Sequence, residues 1–219
     1  MKTAMILAAG RGERMRPLTD FTPKPLLKIK GKALIEYHLE KLAQAKFEKV
    51  IINHHWLGEQ IETALGNGEK YGVQIKYSKE TNLLETGGGI IQALPLLGKE
   101  PFLVVNGDIW CDLDFNKIAL KINKLAHLYL INNPEHNLKG DFGLENGFVI
   151  NEPQLTFSGI GVYDPDLFKN YKTGKLPLAP ILRKAILDQS ITGEHFKGEW
   201  FDIGTPARLK MLETIITTD

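Results

Sequence analysis

Hydrophobic residues in the first half of the chain follow two alternating patterns. Short apolar runs typical of buried strands are followed by segments with the i, i+4, i+7 spacing of a helix face, as in Ile35, Leu39 and Leu42. Repeated β-α-β order predicts a mainly parallel sheet covered by helices. The predicted strands are 3–8, 49–53, 73–78 and 101–106, and the predicted helices are 33–47, 57–65 and 86–97.

The second half of the chain is less regular. It predicts strands at 126–132, 155–163 and 195–203 and helices at 178–189 and 205–216. The segment 133–154 is rich in Asn, Gly and Pro and is predicted to be a long functional loop. No repeat or obvious linker interrupts the sequence, so we expect a single α/β domain over residues 1–219, with ligands at the carboxyl ends of its strands.

Composition narrows the possible partners. With 27 Lys and Arg against 26 Asp and Glu, the net charge of +1 gives no whole-molecule attraction to nucleic acid or to an anionic membrane. The single Cys111 forms no internal disulfide, and the apolar run at 4–9 is too short for a signal peptide or membrane span. The histidines lack zinc-site spacing. We expect a cytoplasmic protein with local anion sites.

The stretch "LAAGRGERMRPLT" and the following "PKPL" form the clearest candidate anion site. A dinucleotide fingerprint is disfavoured because Met15 stands at the third glycine position and prolines interrupt the expected helix, and no Walker P-loop occurs. Gly10 and Gly12 would allow close backbone approach to a ligand. The alternative to an anion site is that the whole stretch is a solvated basic loop. The cations that would bind phosphates are Arg11, Arg14, Arg16 and Lys24.

Lys24 lies between Pro23 and Pro25. The second proline disfavours helical backbone at the lysine, and both prolines have a fixed φ. We therefore expect an exposed lysine on a stiff, extended segment, where it would place one charge on one phosphate.

Two aspartates are candidates for a metal site. Asp108 follows the buried strand in "VVNGD", and Asp202 precedes a helix predicted to have Thr205 as N-cap and Pro206 as its first residue. Together the two carboxylates could hold Mg²⁺. The alternative is that each is an ordinary turn or cap residue.

A glycine triplet opens the third predicted helix, in "ETGGGIIQAL". Glu85 and Thr86 precede Gly87, where the backbone could approach a flat ring or donate N–H groups. The alternative is a plain loop with a Thr N-cap. Three successive glycines weaken a helix and therefore disfavour this alternative.

The combination of motifs resembles the sugar-1-phosphate nucleotidylyltransferases, or nucleoside-diphosphate-sugar pyrophosphorylases. The resemblance rests on "LAAGRGERMRPLT", "PKPL", a Gly-Asp pair after a buried strand and "WFDIGTP", in that order over the whole chain. Within this superfamily, "INHHWLGEQIE", "LETGGGI", "TFSGIGV" and "TGEHF" are most similar to the bacterial enzymes that uridylylate N-acetylmuramate α-1-phosphate.

The resemblance implies a fold, a reaction and residue roles. The fold is a Rossmann-like three-layer sandwich with a mixed, mostly parallel sheet. The reaction is transfer of a uridylyl group from UTP to N-acetylmuramate α-1-phosphate in peptidoglycan recycling, with Mg²⁺ as cofactor and pyrophosphate released. The implied roles are catalysis for Arg14, Lys24 and Asp108; metal binding for Asp108 and Asp202; nucleotide binding for Ala8, Gly10, Arg11, Gly12, Glu13, Lys24, Glu85, Thr86 and Gly87; and sugar phosphate binding for Asn106, Asp141 and Glu152.

Alternative functions stay open at this point. The same superfamily includes uridylyl, thymidylyl and guanylyl transfer to glucose 1-phosphate or mannose 1-phosphate, and non-catalytic sensors of sugar nucleotides. A nicotinamide-dependent oxidoreductase is disfavoured by the missing third glycine. The sequence predicts no oligomeric state.

Overall fold

A computed structural model describes residues 1–216. None of the helices in this range is long and apolar enough to cross a membrane. The strands are β1 Thr3–Leu7, β2 Lys28–Ile29, β3 Lys32–Ala33, β4 Lys49–His54, β5 Gln74–Lys79, β6 Phe102–Asn106, β7 Ile109–Cys111, β8 Ala126–Ile131, β9 Phe142–Glu145, β10 Phe148–Tyr163, β11 Ile191–His195 and β12 Trp200–Asp202. The α-helices are α1 Leu34–Gln44, α2 Gly58–Leu65, α3 Glu85–Leu97, α4 Leu178–Leu187 and α5 Pro206–Ile215.

Eight strands form one sheet in the spatial order β11-β8-β10-β6-β1-β4-β5, with β9 paired to β10. Strand β1 is parallel to β4 and β6, β4 is parallel to β5, and β8 is parallel to β11. Strand β10 is antiparallel to β6, β8, β9 and β11. All the other strands of this sheet therefore share one direction, which confirms the predicted mixed, mostly parallel sheet.

Alternate residues of β1 face opposite sides of the sheet and enter two separate cores. Ile6 packs in one core with Leu39 of α1 and Ile61 of α2, whereas Met5 packs in the other with Ile181 of α4. Each of these side chains is at most 1% exposed. Since α3 lies on the same side as α4, the helices cover both faces, and the three-layer arrangement is confirmed.

Two predictions for the second half are wrong. The segment 133–154 is not a long loop, because it contains β9 and the beginning of β10, joined through Asn146 and Gly147 with φ of 50° and 80°. Positive φ at both residues is what a tight two-residue hairpin turn requires. The predicted strand at 195–203 is also wrong, because the chain forms β11 beside β8 and then the short β12, which pairs with β7 outside the main sheet.

A third, smaller core joins the two ends of the chain. Met15 and Ile29 pack with Ile203 and with Leu212 of α5, and all four are fully buried. Strand β12 pairs with β7, which follows β6 after a tight turn. Residues that are far apart in the sequence therefore meet at the carboxyl end of β6.

Candidate active site

A cavity of about 400 Å³ opens at the carboxyl ends of β1, β4 and β6. Most of the residues predicted to bind nucleotide line it, together with predicted catalytic residues. The sequence-predicted residues on its wall are Ala8, Gly10, Gly12, Glu13, Arg14, Lys24, Glu85, Thr86, Asn106 and Asp108.

Glycine occupies two positions of the N-terminal loop for different physical reasons. Gly12 has a φ of 66°, and a Cβ there would lie 3.0 Å from Cγ2 of Thr19, whose hydroxyl donates to the Gly12 carbonyl at 2.8 Å. Gly12 therefore fixes the shape of the loop. A Cβ at Gly10 would meet nothing within 4 Å, so Gly10 leaves space beside the cavity.

Arg11 is held outside this cavity. Its guanidinium carbon lies 4.6 Å from the centroid of the Trp56 ring, an arrangement typical of a cation–π contact. The Trp56 indole in turn donates to the Thr19 carbonyl at 3.2 Å. Of the loop cations, Arg14 and Lys24 line the cavity and Arg11 does not.

The expectation of an exposed, extended Lys24 is wrong. Lys24 is 8% exposed and begins a one-turn 3₁₀ helix, so the extended backbone is confined to Pro23, with a ψ of 140°. The Lys24 ammonium lies 2.7 Å from Oδ2 of Asp108. Proline disfavours helical backbone at the preceding residue but does not forbid it. The carboxylate of Asp108, which is far away in the sequence, holds the lysine inside the cavity.

Asp108 is positioned by the glycine before it. The Gly107 N–H donates to the Leu7 carbonyl at 2.9 Å, and a Cβ on Gly107 would lie 2.7 Å from that oxygen. Only glycine allows the chain to turn so closely over the end of β1. The turn places Asp108 on the cavity wall, with 40% of its side chain exposed.

Asp202 is brought next to Asp108 by backbone pairing. The Ile203 N–H donates to the Asp108 carbonyl at 2.8 Å, one residue after Asp202. The predicted start of α5 is confirmed, because the Thr205 side chain accepts from a backbone N–H of the first turn and Pro206 is the first helical residue. Ile203 and Gly204 connect the end of β12 at Asp202 to this cap.

The Asp202 carboxylate lies close to the side chains of Arg208, His136 and Arg14. Its Oδ1 forms an ion pair with Arg208 of α5, and His136 Nε2 lies 3.7 Å from the same oxygen. On the other side, a Cβ built on Gly204 would be 3.0 Å from Oδ2 of Asp202 and 3.2 Å from Nη2 of Arg14. Arg14 and Asp202 thus converge on Gly204, which lines the cavity.

The carboxylates of Asp108 and Asp202 fit Mg²⁺ if water and substrate phosphates supply the other ligands of the ion. Asp108 and Asp202 lie on adjacent backbone segments, and each already contacts a cationic side chain. Within residues 1–216, no group of three or more His, Cys, Asp or Glu side chains is arranged to hold a metal. Magnesium commonly takes one or two protein carboxylates and completes its shell with water and substrate phosphates. The donor set matches that pattern rather than a preformed cage.

A second cavity, of about 450 Å³, adjoins the first and shares Glu85, Thr86 and Asn106 with it. Asp141 lies on its wall, with Oδ2 accepting from the Phe157 N–H at 2.8 Å. The remaining lining residues are Phe142, Phe157, Pro177, Leu178, Ala179, Leu182 and Arg183.

Glu152 is the predicted sugar-phosphate residue that the structure does not bring to the site. It is exposed on β10, where its carbonyl faces Gly143. It lines neither of the two adjoining cavities.

The glycine triplet of α3 serves packing rather than ligand approach. Gly87 lines neither cavity, and a Cβ there would lie 2.8 Å from the Leu176 carbonyl. A Cβ on Gly88 would be 2.0 Å from the Gly174 carbonyl, and one on Gly89 would be 2.7 Å from a buried carboxylate oxygen. The residue beside the ligand space is instead Glu85, which has an unusual φ of 60°.

Asn53 and Glu80 are cavity residues that the sequence interpretation missed. Asn53 accepts from the Ala8 N–H at 2.9 Å and donates to Glu80 at 2.7 Å, and Glu80 accepts from the Leu84 N–H at 3.0 Å. This buried network ties the first loop to the beginning of α3. The available signal was a polar residue at or just after the carboxyl end of each of two predicted strands.

Comparisons with known proteins decide the family. A family model described as nucleotidyl transferase matches residues 3–146. The chain is 52% identical to the N-acetylmuramate α-1-phosphate uridylyltransferase of Neisseria meningitidis serogroup B, over 97% of each chain. The chain belongs to the nucleotidyl transferase family.

Two further comparisons extend this result. The nucleotidyl transferase chain is 32% identical to the N-acetylmuramate α-1-phosphate uridylyltransferase of Caulobacter vibrioides, over 94% of this chain and 93% of that one. Its fold matches the crystal structure of a UDP-glucose pyrophosphorylase complexed with UDP-glucose, with a TM-score of 0.78, 22% identity and 98% coverage of each chain. The nucleotidyl transferase fold predicted from the sequence is confirmed.

Proposed function

We propose that this nucleotidyl transferase moves a uridylyl group from UTP to N-acetylmuramate α-1-phosphate, giving UDP-N-acetylmuramate and pyrophosphate, in peptidoglycan recycling. The observation that carries the choice of substrates is the 52% identity to the Neisseria protein over 97% of both chains. The proposal treats residues 1–219 as one catalytic domain with a cytoplasmic location.

The two adjoining cavities support a reaction between two bound substrates. The first is bounded by the glycine loop, Arg14 and Lys24, which suits a nucleoside triphosphate. The second combines apolar side chains with polar groups that include Asp141 and Arg183, which suits a sugar. Because Asn106 borders both, the phosphate of the acceptor would meet the α-phosphorus of UTP at this boundary, beside Asp108.

The proposed reaction needs positioning and charge stabilisation rather than a general base. A phosphate monoester has a second pKa of about 6, so the acceptor is mostly dianionic at neutral pH and already nucleophilic. Its oxygen attacks the α-phosphorus of UTP in line, and the bond to pyrophosphate breaks. Lys24 and Arg14 offset negative charge on the reacting and leaving phosphates. Mg²⁺ held by Asp108 and Asp202 would supply further positive charge when bound.

The test is a matrix of the four nucleoside triphosphates against the α-1-phosphates of N-acetylmuramate, N-acetylglucosamine, glucose and mannose. Pyrophosphate release is measured with and without Mg²⁺. We expect the highest kcat/KM for UTP with N-acetylmuramate α-1-phosphate, and dependence on Mg²⁺. A higher kcat/KM for a glucose or mannose acceptor would favour the related transferase activities, and no release from any pair would favour a non-catalytic sensor.

A further inference from the structure

One cationic side chain lines the second cavity beyond the region that the two cavities share. Arg183 of α4 is the sole Lys or Arg among the described residues that line this cavity, and it does not line the first. The phosphate of the acceptor must lie near the shared residues, where it reaches the nucleotide. Arg183 therefore faces the part of the acceptor that lies away from its phosphate.

The guanidinium of Arg183 is held in place without being neutralised. It lies over the Phe142 ring, with 4.9 Å between the guanidinium carbon and the ring centroid. Its Nη2 donates to the Asp141 carbonyl at 2.9 Å, and its Nη1 donates to the carbonyl and side-chain oxygens of Asn151 at 3.3 Å and 3.4 Å. All three oxygens are uncharged, and within residues 1–216 no carboxylate forms an ion pair with Arg183, although the Asp141 carboxylate lines the same cavity.

An oriented guanidinium beside an apolar wall matches the chemistry of a carboxylate attached to an apolar group. Arginine offers a planar fork of N–H donors that matches a carboxylate, and its contacts here already fix its orientation. Leu178 and Leu182 supply apolar surface in the same cavity. N-acetylmuramate differs from N-acetylglucosamine by a lactyl ether, which carries one carboxylate and one methyl group.

We propose that Arg183 binds the lactyl carboxylate of the acceptor and so selects N-acetylmuramate α-1-phosphate over N-acetylglucosamine α-1-phosphate. The inference rests on the proposed function and assigns its substrate selectivity to one side chain. A charged group built to pair with a substrate carboxylate loses that pairing when the analogue lacks it, which is an effective basis for discrimination.

The test compares Arg183→Gln and Arg183→Lys with the wild-type enzyme on both acceptors, at saturating UTP and Mg²⁺. Arg183→Gln should lower kcat/KM for N-acetylmuramate α-1-phosphate by about 10- to 100-fold, mainly through KM, as expected for loss of a charge-assisted hydrogen bond. Turnover of N-acetylglucosamine α-1-phosphate should change by less than about threefold. Arg183→Lys should recover part of the loss, because it keeps the charge without the fork.

Lys184→Gln is the matched control, since Lys184 is the next residue of α4, is exposed and does not line the cavity. It should leave both acceptors unchanged. An equal loss on both acceptors in Arg183→Gln, or an unchanged kcat/KM for the muramate acceptor, would overturn the inference while the proposed function stands. A wild-type enzyme without turnover of the muramate acceptor would instead overturn the proposed function.

Discussion

At the scale of single residues, the pairing of Lys24 with Asp108 links the glycine loop to the end of β6. Lys24→Met should lower kcat/KM for uridylyl transfer by about 100-fold or more, because a positioned charge at the reacting phosphates is lost. The free energy of unfolding should fall by about 1 kcal/mol or less, because the Asp108 side chain is 40% exposed and regains water.

Steady-state rates and thermal unfolding of Lys24→Met measure these two effects separately. Lys28→Met is the matched control, because Lys28 is an exposed lysine on β2. A folded Lys24→Met enzyme with wild-type kcat/KM would contradict the assigned role.

Asp202 carries the second residue-scale prediction. Asp202→Asn should lower turnover by about 100-fold and raise the Mg²⁺ concentration needed for half-maximal rate, because one carboxylate of the proposed metal site is removed. Asp112→Asn, at an exposed position after β7, should behave as wild type. Mg²⁺ titrations of the initial rate measure the effect, and a wild-type titration curve for Asp202→Asn would refute the metal assignment.

Single residues also show where sequence interpretation reached its limit. Asp108 and Asp202 were each predictable as a candidate metal ligand, because Asp108 follows a strand and Asp202 ends one before a helix, but their spacing in the sequence does not show that they meet. The contact between Lys24 and Asp108 joins residues 84 positions apart, and no local pattern carries that information. The position of Arg183 was not predictable for a similar reason, because it depends on the packing of α4 against β10 and on the contact of Arg183 with the Phe142 ring of β9.

At the scale of elements, α3 depends on glycine for close packing. Gly88→Ala should lower the free energy of unfolding by at least about 2 kcal/mol, because the added Cβ would lie 2.0 Å from the Gly174 carbonyl. Gly10→Ala, where a Cβ meets nothing within 4 Å, should unfold as wild type and instead raise KM for UTP. Denaturant unfolding of both variants distinguishes packing from ligand contact, and equal stability of Gly88→Ala and wild type would contradict the account.

The elements of the first half followed from periodicity, because apolar strands and amphipathic helices each bury a definite face. Strand β11 did not, since "ITGEH" begins with its one aliphatic residue, Ile191, and its extended shape comes from pairing with β8. The hairpin of β9 and β10 was not predicted, because its polar residues favoured a loop, although Asn146-Gly147 is a recognised hairpin signal. Local pattern predicts an element well only where local burial determines it.

At the scale of the whole molecule, stability should depend on pH through a buried histidine. Burial lowers the pKa of His38 from 6.5 to about 4, and its Nε2 has no hydrogen-bond partner within residues 1–216. The unfolded chain therefore takes up a proton between about pH 6.5 and 4 that the folded chain does not. The stabilising contribution is complete above pH 6.5 and falls by up to about 3 kcal/mol as the pH approaches 4.

Denaturant unfolding of wild type and His38→Leu between pH 4 and 7 gives the free energy of unfolding of each protein as a function of pH. The difference between the two slopes against pH measures the contribution of His38. The variant should lose less stability on acidification, because leucine binds no proton. Identical slopes would show that His38 is not responsible.

The third core explains how the whole molecule assembles one site from both ends of the chain. Met15 packs against Ile203, so the loop that carries Arg14 and the strand that carries Asp202 are fixed relative to each other. The sequence predicted the two ends as separate motifs, and their meeting depends on this tertiary packing.

The most direct test of the central claim is a competition among acceptors in one reaction. Wild-type enzyme, UTP and Mg²⁺ are mixed with equal concentrations of the α-1-phosphates of N-acetylmuramate, N-acetylglucosamine, glucose and mannose, and early products are measured by mass spectrometry. The account predicts UDP-N-acetylmuramate as the main product, with one pyrophosphate released per product formed. A different UDP-sugar as the main product, or no UDP-sugar at all, would contradict it.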